Sequence, residues 1–151
     1  MPDHGAAWRY AIGVGSNLGD RRAHIQRARE LFDAGGLGRV VVSSDLIETA
    51  PVGGPRGQGA FLNGVWIVAS GFGPHQLLAE LQRIEAVCGR VRTIHWGPRT
   101  LDLDLLLRDD GLVVSSAVLT LPHPRIAERP FVLIPLAQVA SDWTGVHLSG
   151  A

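Results

Sequence analysis

The sequence predicts an α+β fold in which helices pack on an antiparallel sheet. Three observations carry that expectation. Strand-like and helix-like stretches follow one another in the order β-α-β-β-α-β. The 151 residues suit one compact domain, read here as 1–151. Hydrophobic residues make up 46% and charged residues 19%, the balance of a globular chain rather than a disordered one.

Each element has its own signal. Residues 9–15, RYAIGVG, read as a first strand, and GSNLGD follows as a tight glycine turn. Over 21–33, Ile25, Ala28, Leu31 and Phe32 recur at helical spacing, and Gly35–Gly36 stops the helix. Residues 39–49 are β-branched and strand-like, and 61–70, FLNGVWIVAS, form another strand. Between them APVGGPRGQGA is a glycine- and proline-rich loop, longer than most hairpin connections. Pro74 opens a second helix over 75–88, with Leu77, Leu81, Ile84 and Cys88 on one face. A loop over 89–99 leads to a strand over 100–107. This order is the split βαβ, or ferredoxin-like, pattern, with helices expected on one sheet face. Asp109-Asp110-Gly111 then marks a turn, and C-terminal additions include an apolar helix over 131–140.

Composition excludes several functions. All fourteen basic residues are arginine. Without lysine there is no Gly-x-x-x-x-Gly-Lys phosphate loop, no kinase strand lysine and no Schiff-base chemistry. Phosphate, if handled, is handled by guanidinium forks, which bind oxyanions bidentately. The formal charge of zero argues against a nucleic-acid partner. No apolar run reaches membrane-spanning length, and no signal peptide is expected. A single cysteine, Cys88, excludes a disulfide framework and a multi-cysteine metal site, which points to the cytoplasm.

The stretch HWGPRTLDLDLLL, 95–107, carries the chemistry. Side chains alternate along a strand, so Leu101, Leu103, Leu105 and Leu107 take the core face. Thr100, Asp102 and Asp104 take the other, the carboxylates about 7 Å apart along the chain. Like charges at that spacing repel unless something positive lies between them. Two magnesium ions shared with substrate phosphates meet that need. A solvated strand face with two ordinary acids is the competing reading, although aspartate is a poor strand former. A phosphatase with Asp102 as nucleophile is another, but its motif opens the first strand of a parallel α/β fold and needs a lysine.

Other residues weigh less alone. Arg90, Arg92 and Arg99 flank the aspartates on a glycine-bearing loop, where cations can neutralise shifting phosphate charge. Arg129 comes later, and His123 is held between two prolines as a candidate phosphate donor. Trp96 and Phe131 are isolated aromatics suited to stacking on a flat ring. Asn63 offers an amide edge to a heterocycle, or is a strand residue on the solvent face. The glycines at 13, 15 and 19 miss the dinucleotide fingerprint by one place and read as a strand-to-helix turn.

Taken together, AIGVGSNLGDR, ETAPVGGPRGQGAFLN, LQRIEAVCGRVR, HWGPRTLDLDLLL and LPHPRIAERPFVLIPLA resemble the 6-hydroxymethyl-7,8-dihydropterin pyrophosphokinases of folate biosynthesis. The resemblance runs from about Ala11 to Ala140. It implies a ferredoxin-like fold and transfer of pyrophosphate from ATP to a pterin hydroxymethyl group, with AMP as by-product. It implies that Asp102 and Asp104 bind two magnesium ions, and that Arg90 and Arg99, with Asp104, serve catalysis. Gln82, Glu85, Arg92, Trp96, Thr120, His123 and Arg129 fall on the ATP side. Thr49, Val52, Gly53, Phe61, Asn63, Trp96 and Phe131 fall on the pterin side. His95 stands where the family often has a basic residue, commonly arginine. The expected partners are these two small molecules, with no nucleic acid and no membrane, and a monomer is favoured.

Overall fold

The structure is a computed structural model, and it describes residues 7–36, 38–50, 59–89, 101–124, 126, 130–140 and 143. β1 (Trp8–Ser16) runs through the middle of the main sheet. β4 (Phe61–Ser70) lies antiparallel on one side of it and β5 (Asp102–Arg108) antiparallel on the other. β2 (Gly38–Ser43) and the short β3 (Ile47–Thr49) both pair with β4. The order is therefore β2-β4-β1-β5, with β4 inserted between the two strands that α1 (Arg21–Ala34) joins. That is the split βαβ arrangement. Every strand pairing among the described residues is antiparallel, so the parallel frame required by the phosphatase reading is absent there.

α1 begins where Asp20 caps it, its Oδ1 accepting the Ala23 N–H at 3.1 Å. Its apolar stripe of Ile25, Ala28 and Phe32 packs with Leu77, Leu81 and Ile84 of α2 (Pro74–Val87) over Tyr10, Ile12 and Val14 of β1. Leu101, Leu103 and Leu105 join the same core, each 5% exposed or less. Burying a leucine side chain stabilises by about 1.5–3 kcal/mol. Three of them hold the start of β5 down, which offsets the cost of two aspartates interleaved with them.

The structure departs from the sequence-based expectation in three places. First, helices cover both faces of the sheet. α3 (Pro130–Ala140) packs Val132, Leu136 and Ala140 on Ala11, Val65, Ile67, Leu106 and Leu107, opposite α1 and α2. Second, Leu107 does not share a face with Leu101, Leu103 and Leu105. The β1–β5 register shifts between Ala11 and Ile12, which pair with Leu107 and Leu105. Leu106 is the extra residue of a β-bulge, and a bulge turns everything after it to the other face. Third, the strand expected over 39–49 is broken into β2 and β3. Ser44 makes the break: its N–H donates to the Val65 carbonyl at 2.9 Å, and its Oγ accepts the Val65 N–H at 2.8 Å. A hydroxyl thus replaces a ladder carbonyl, and the freed Asp45 N–H donates to Gln138 Oε1 of α3 at 2.8 Å.

β6 (Val114–Ser115) and β7 (Thr120–Leu121) form a small hairpin that buries Leu119 and Leu121 against the first core. At the far end of β1 and β5, Arg108 lies 4.3 Å above the Trp8 ring and forks onto Asp110 at 2.9 and 2.8 Å. The Arg108 hydrogen bond holds the Asp110 carboxyl below its usual range. No helix among the described residues is long and apolar enough to cross a membrane.

Candidate active site

The face that α3 covers at one end is polar at the other. Alternation puts Asp102 and Asp104 of β5 on that face, along with Asn63 and Phe61 of β4 and Ile47 and Thr49 of β3. The ladders bring them level. Gly13 pairs with Asp104, and Gly15 pairs with Asp102 on one side and Asn63 on the other. Asn63 in turn pairs with Ile47, and Phe61 with Thr49. Two adjacent strand spacings separate Asn63 from Asp102, roughly 10 Å. What lies between is the bare backbone of Gly13 and Gly15.

The amide end of this surface is built tightly. Asn63 is 9% exposed, so it is a buried polar residue rather than one on an open solvent face. Its Nδ2 donates to Thr49 Oγ1 at 2.6 Å. A Cβ on Gly15 would lie 2.7 Å from Asn63 Oδ1, closer than such atoms approach. Glycine is therefore required at 15 for this amide to stay in place. Gly15→Ala is expected to push the Asn63 side chain off Thr49 and to lower stability by about 1–3 kcal/mol, as overpacked sites do. Urea unfolding and the Asn63 side-chain amide resonances check this.

The acidic end fits a hard cation. Asp102 and Asp104 are half-buried, face the same way and offer only oxygen donors. Among the described residues no three histidines, cysteines or acids cluster to hold a metal by themselves. Two carboxylates with the remaining ligands from phosphate and water are the habit of magnesium, not of a caged zinc or calcium. Cys88 offers no alternative nucleophile, because burial pushes its thiol up and keeps it protonated.

The outer edge of β5 gathers another group. Glu85 of α2 is 4% exposed, and its Oε2 accepts the Leu103 N–H at 2.8 Å. Among the described strands β5 lies at the edge of the sheet, and there this carboxylate takes an N–H that β1 does not. Gln82 lies one turn earlier on α2 and is exposed. Beyond β7, which carries Thr120, the His123 N–H donates to the Leu106 carbonyl at 2.7 Å. His123 is thus tied to β5 just past the aspartates. Val52, Gly53, Arg90, Arg92, His95, Trp96, Arg99 and Arg129 lie outside the described residues. Phe131 falls in α3, with its backbone alone described.

Fold and site together define a ferredoxin-like α+β protein with paired carboxylates beside a glycine-bearing stretch of its sheet. The chain belongs to the 7,8-dihydro-6-hydroxymethylpterin-pyrophosphokinase (HPPK) family, whose model matches residues 11–141. It is 42% identical over 134 residues to the 2-amino-4-hydroxy-6-hydroxymethyldihydropteridine pyrophosphokinase of Pseudomonas aeruginosa, covering 89% of this chain and 82% of the relative. To the protein of the same description from Bacillus subtilis it is 41% identical over 133 residues, covering 87% of this chain and 77% of the relative. A solved structure, HPPK-DHPS in complex with substrates, superposes on 96% of this chain and 42% of its own, with a TM-score of 0.67 and 12% identity. That likeness concerns the fold.

Proposed function

We propose that this chain transfers the pyrophosphoryl group of ATP to the hydroxymethyl group of 6-hydroxymethyl-7,8-dihydropterin, a step of folate biosynthesis. The observation that carries the reading is one surface. The Asp102–Asp104 pair and the Asn63–Thr49 amide stand on one sheet face, on either side of the β1 stretch that carries Gly13 and Gly15. In a member of this family, the ring edge belongs at Asn63 and the reacting hydroxyl toward the carboxylates.

In the reaction the hydroxymethyl oxygen forms a bond to the β-phosphorus of ATP. The bond from that phosphorus to the oxygen bridging the α-phosphate breaks, AMP leaves with that oxygen, and the hydroxyl proton is released. Asp102 and Asp104 would hold two magnesium ions. Bound magnesium supplies positive charge that polarises phosphate oxygens and lowers the cost of deprotonating the hydroxyl. Thr49, Asn63 and Phe61, with Val52, Gly53, Trp96 and Phe131, bind the pterin, the aromatic rings by stacking. Gln82, Glu85, Arg92, Trp96, Thr120, His123 and Arg129 bind ATP along the outer side of β5. Arg90 and Arg99 bring guanidinium forks to the charge that develops on the transferring group. A cytoplasmic monomer acting on small molecules completes the proposal.

Divalent-ion counting tests the metal part. Manganese, titrated with a non-hydrolysable ATP analogue and followed by electron paramagnetic resonance, should bind twice per wild-type chain and less than twice in Asp102→Asn. An unchanged count in that variant would remove Asp102 from the metal site.

A further inference from the structure

The turn between β1 and α1 has no part in the transfer just described, yet its side chains reach the ring-binding end of the surface. Gly19 takes a φ of +69°, which reverses the chain, and Asp20 caps α1 so that Arg21 is its first residue. A cation there opposes the helix dipole, which favours acids in the first turn, and α1 has no acid in that turn. Arg21 instead points its guanidinium at two other elements. Nη1 donates to the Ala60 carbonyl at 3.0 Å, and Nη2 pairs with Glu48 Oε1. Asn17, 6% exposed, adds a bond from Nδ2 to the Gly59 carbonyl at 3.3 Å.

Glu48 and Ala60 are the residues just before Thr49 and just before Phe61. β3 is only 3 residues long, and β4 is its partner in the ladder. A slip of one residue would turn Thr49 to the opposite face and take its hydroxyl from Asn63. So short a ladder holds register weakly. One guanidinium fork gripping both strands at that point removes the freedom to slip.

We propose that Arg21, supported by Asn17, is a positioning residue for the pterin: it locks β3 against β4 so that Thr49 orients the Asn63 amide. The inference rests on the reading of Asn63 and Thr49 as pterin-binding residues. Lysine cannot replace arginine here, since an ammonium lacks the planar fork that spans two acceptors.

Steady-state kinetics on Arg21→Ala, Arg21→Lys, Glu48→Gln and Asn63→Ala, with both substrates varied, tests it. The expected result for Arg21→Ala is a KM for the pterin raised about tenfold, with the KM for ATP unchanged and kcat within about twofold. Arg21→Lys should recover only part of the loss. Glu48→Gln should add little to Arg21→Ala, because both break one contact. A general structural role would move both KM values and the unfolding midpoint together, and that result overturns the proposal. If Asn63→Ala raises the pterin KM and Arg21→Ala does not, the clamp alone is wrong. If Asn63→Ala leaves the pterin KM unchanged, the reading of the surface fails and the clamp falls with it.

Discussion

Asp104→Asn is expected to lower kcat by about 10²–10³-fold, the scale seen when one well-placed electrostatic group is removed from a reaction centre. The substitution keeps shape and removes a charge. β5 is held by Leu101, Leu103 and Leu105 on the other face, so the fold does not depend on the carboxylate. Asp102 and Asp104 lie on one side of one strand, away from the first core, so the unfolding midpoint should stay close to that of the wild type. AMP formation and a thermal melt on the same preparation check both halves. A variant that loses activity only by unfolding would make Asp104 structural.

Glu85→Ala is expected to lower stability and turnover together. The Leu103 N–H would lose its buried acceptor, which costs about 1–3 kcal/mol. Because Leu103 lies between the two aspartates, the same loss loosens the backbone that aims them, and turnover should fall as well. Glu85→Gln keeps an oxygen acceptor and should lose less. Urea unfolding gives the stability, and hydrogen exchange at the Leu103 amide gives the local effect. An alanine variant as stable as the wild type, with that amide still protected, would show that the contact carries no weight.

Much of the frame was legible in the sequence because it rests on short-range periodicity. The stripe Ile25, Ala28 and Phe32 predicted α1, and FLNGVWIVAS matched β4 at both ends. The alternation in LDLDL placed Asp102 and Asp104 together on the face away from the first core. The bulge at Leu106 was hidden because leucine stands on both sides of it, so no change of residue type marks the change of face. The break at Ser44 was hidden because a serine in a β-branched run looks like a strand residue until its hydroxyl finds Val65. Periodicity likewise does not tell which face a third helix covers.

The candidate site was legible as residue types but not as an arrangement. The motif series picked out Asn63, Thr49 and the aspartates. That Gly13 and Gly15 lie between them depends on long-range register, which local pattern does not encode. The bond from Glu85 to Leu103 crosses 18 residues and a change of element. No local pattern marks Arg21: a glycine turn entering a helix accounts for its neighbours, and only its position at the positive end of a helix hints at a distant partner.

The most direct test of the central claim is nucleotide analysis of one reaction mixture containing the protein, ATP, Mg²⁺ and 6-hydroxymethyl-7,8-dihydropterin. The account predicts AMP and the pterin pyrophosphate in equal amounts, neither forming without the protein. ADP with a pterin monophosphate, or ADP and phosphate with the pterin unchanged, would contradict it.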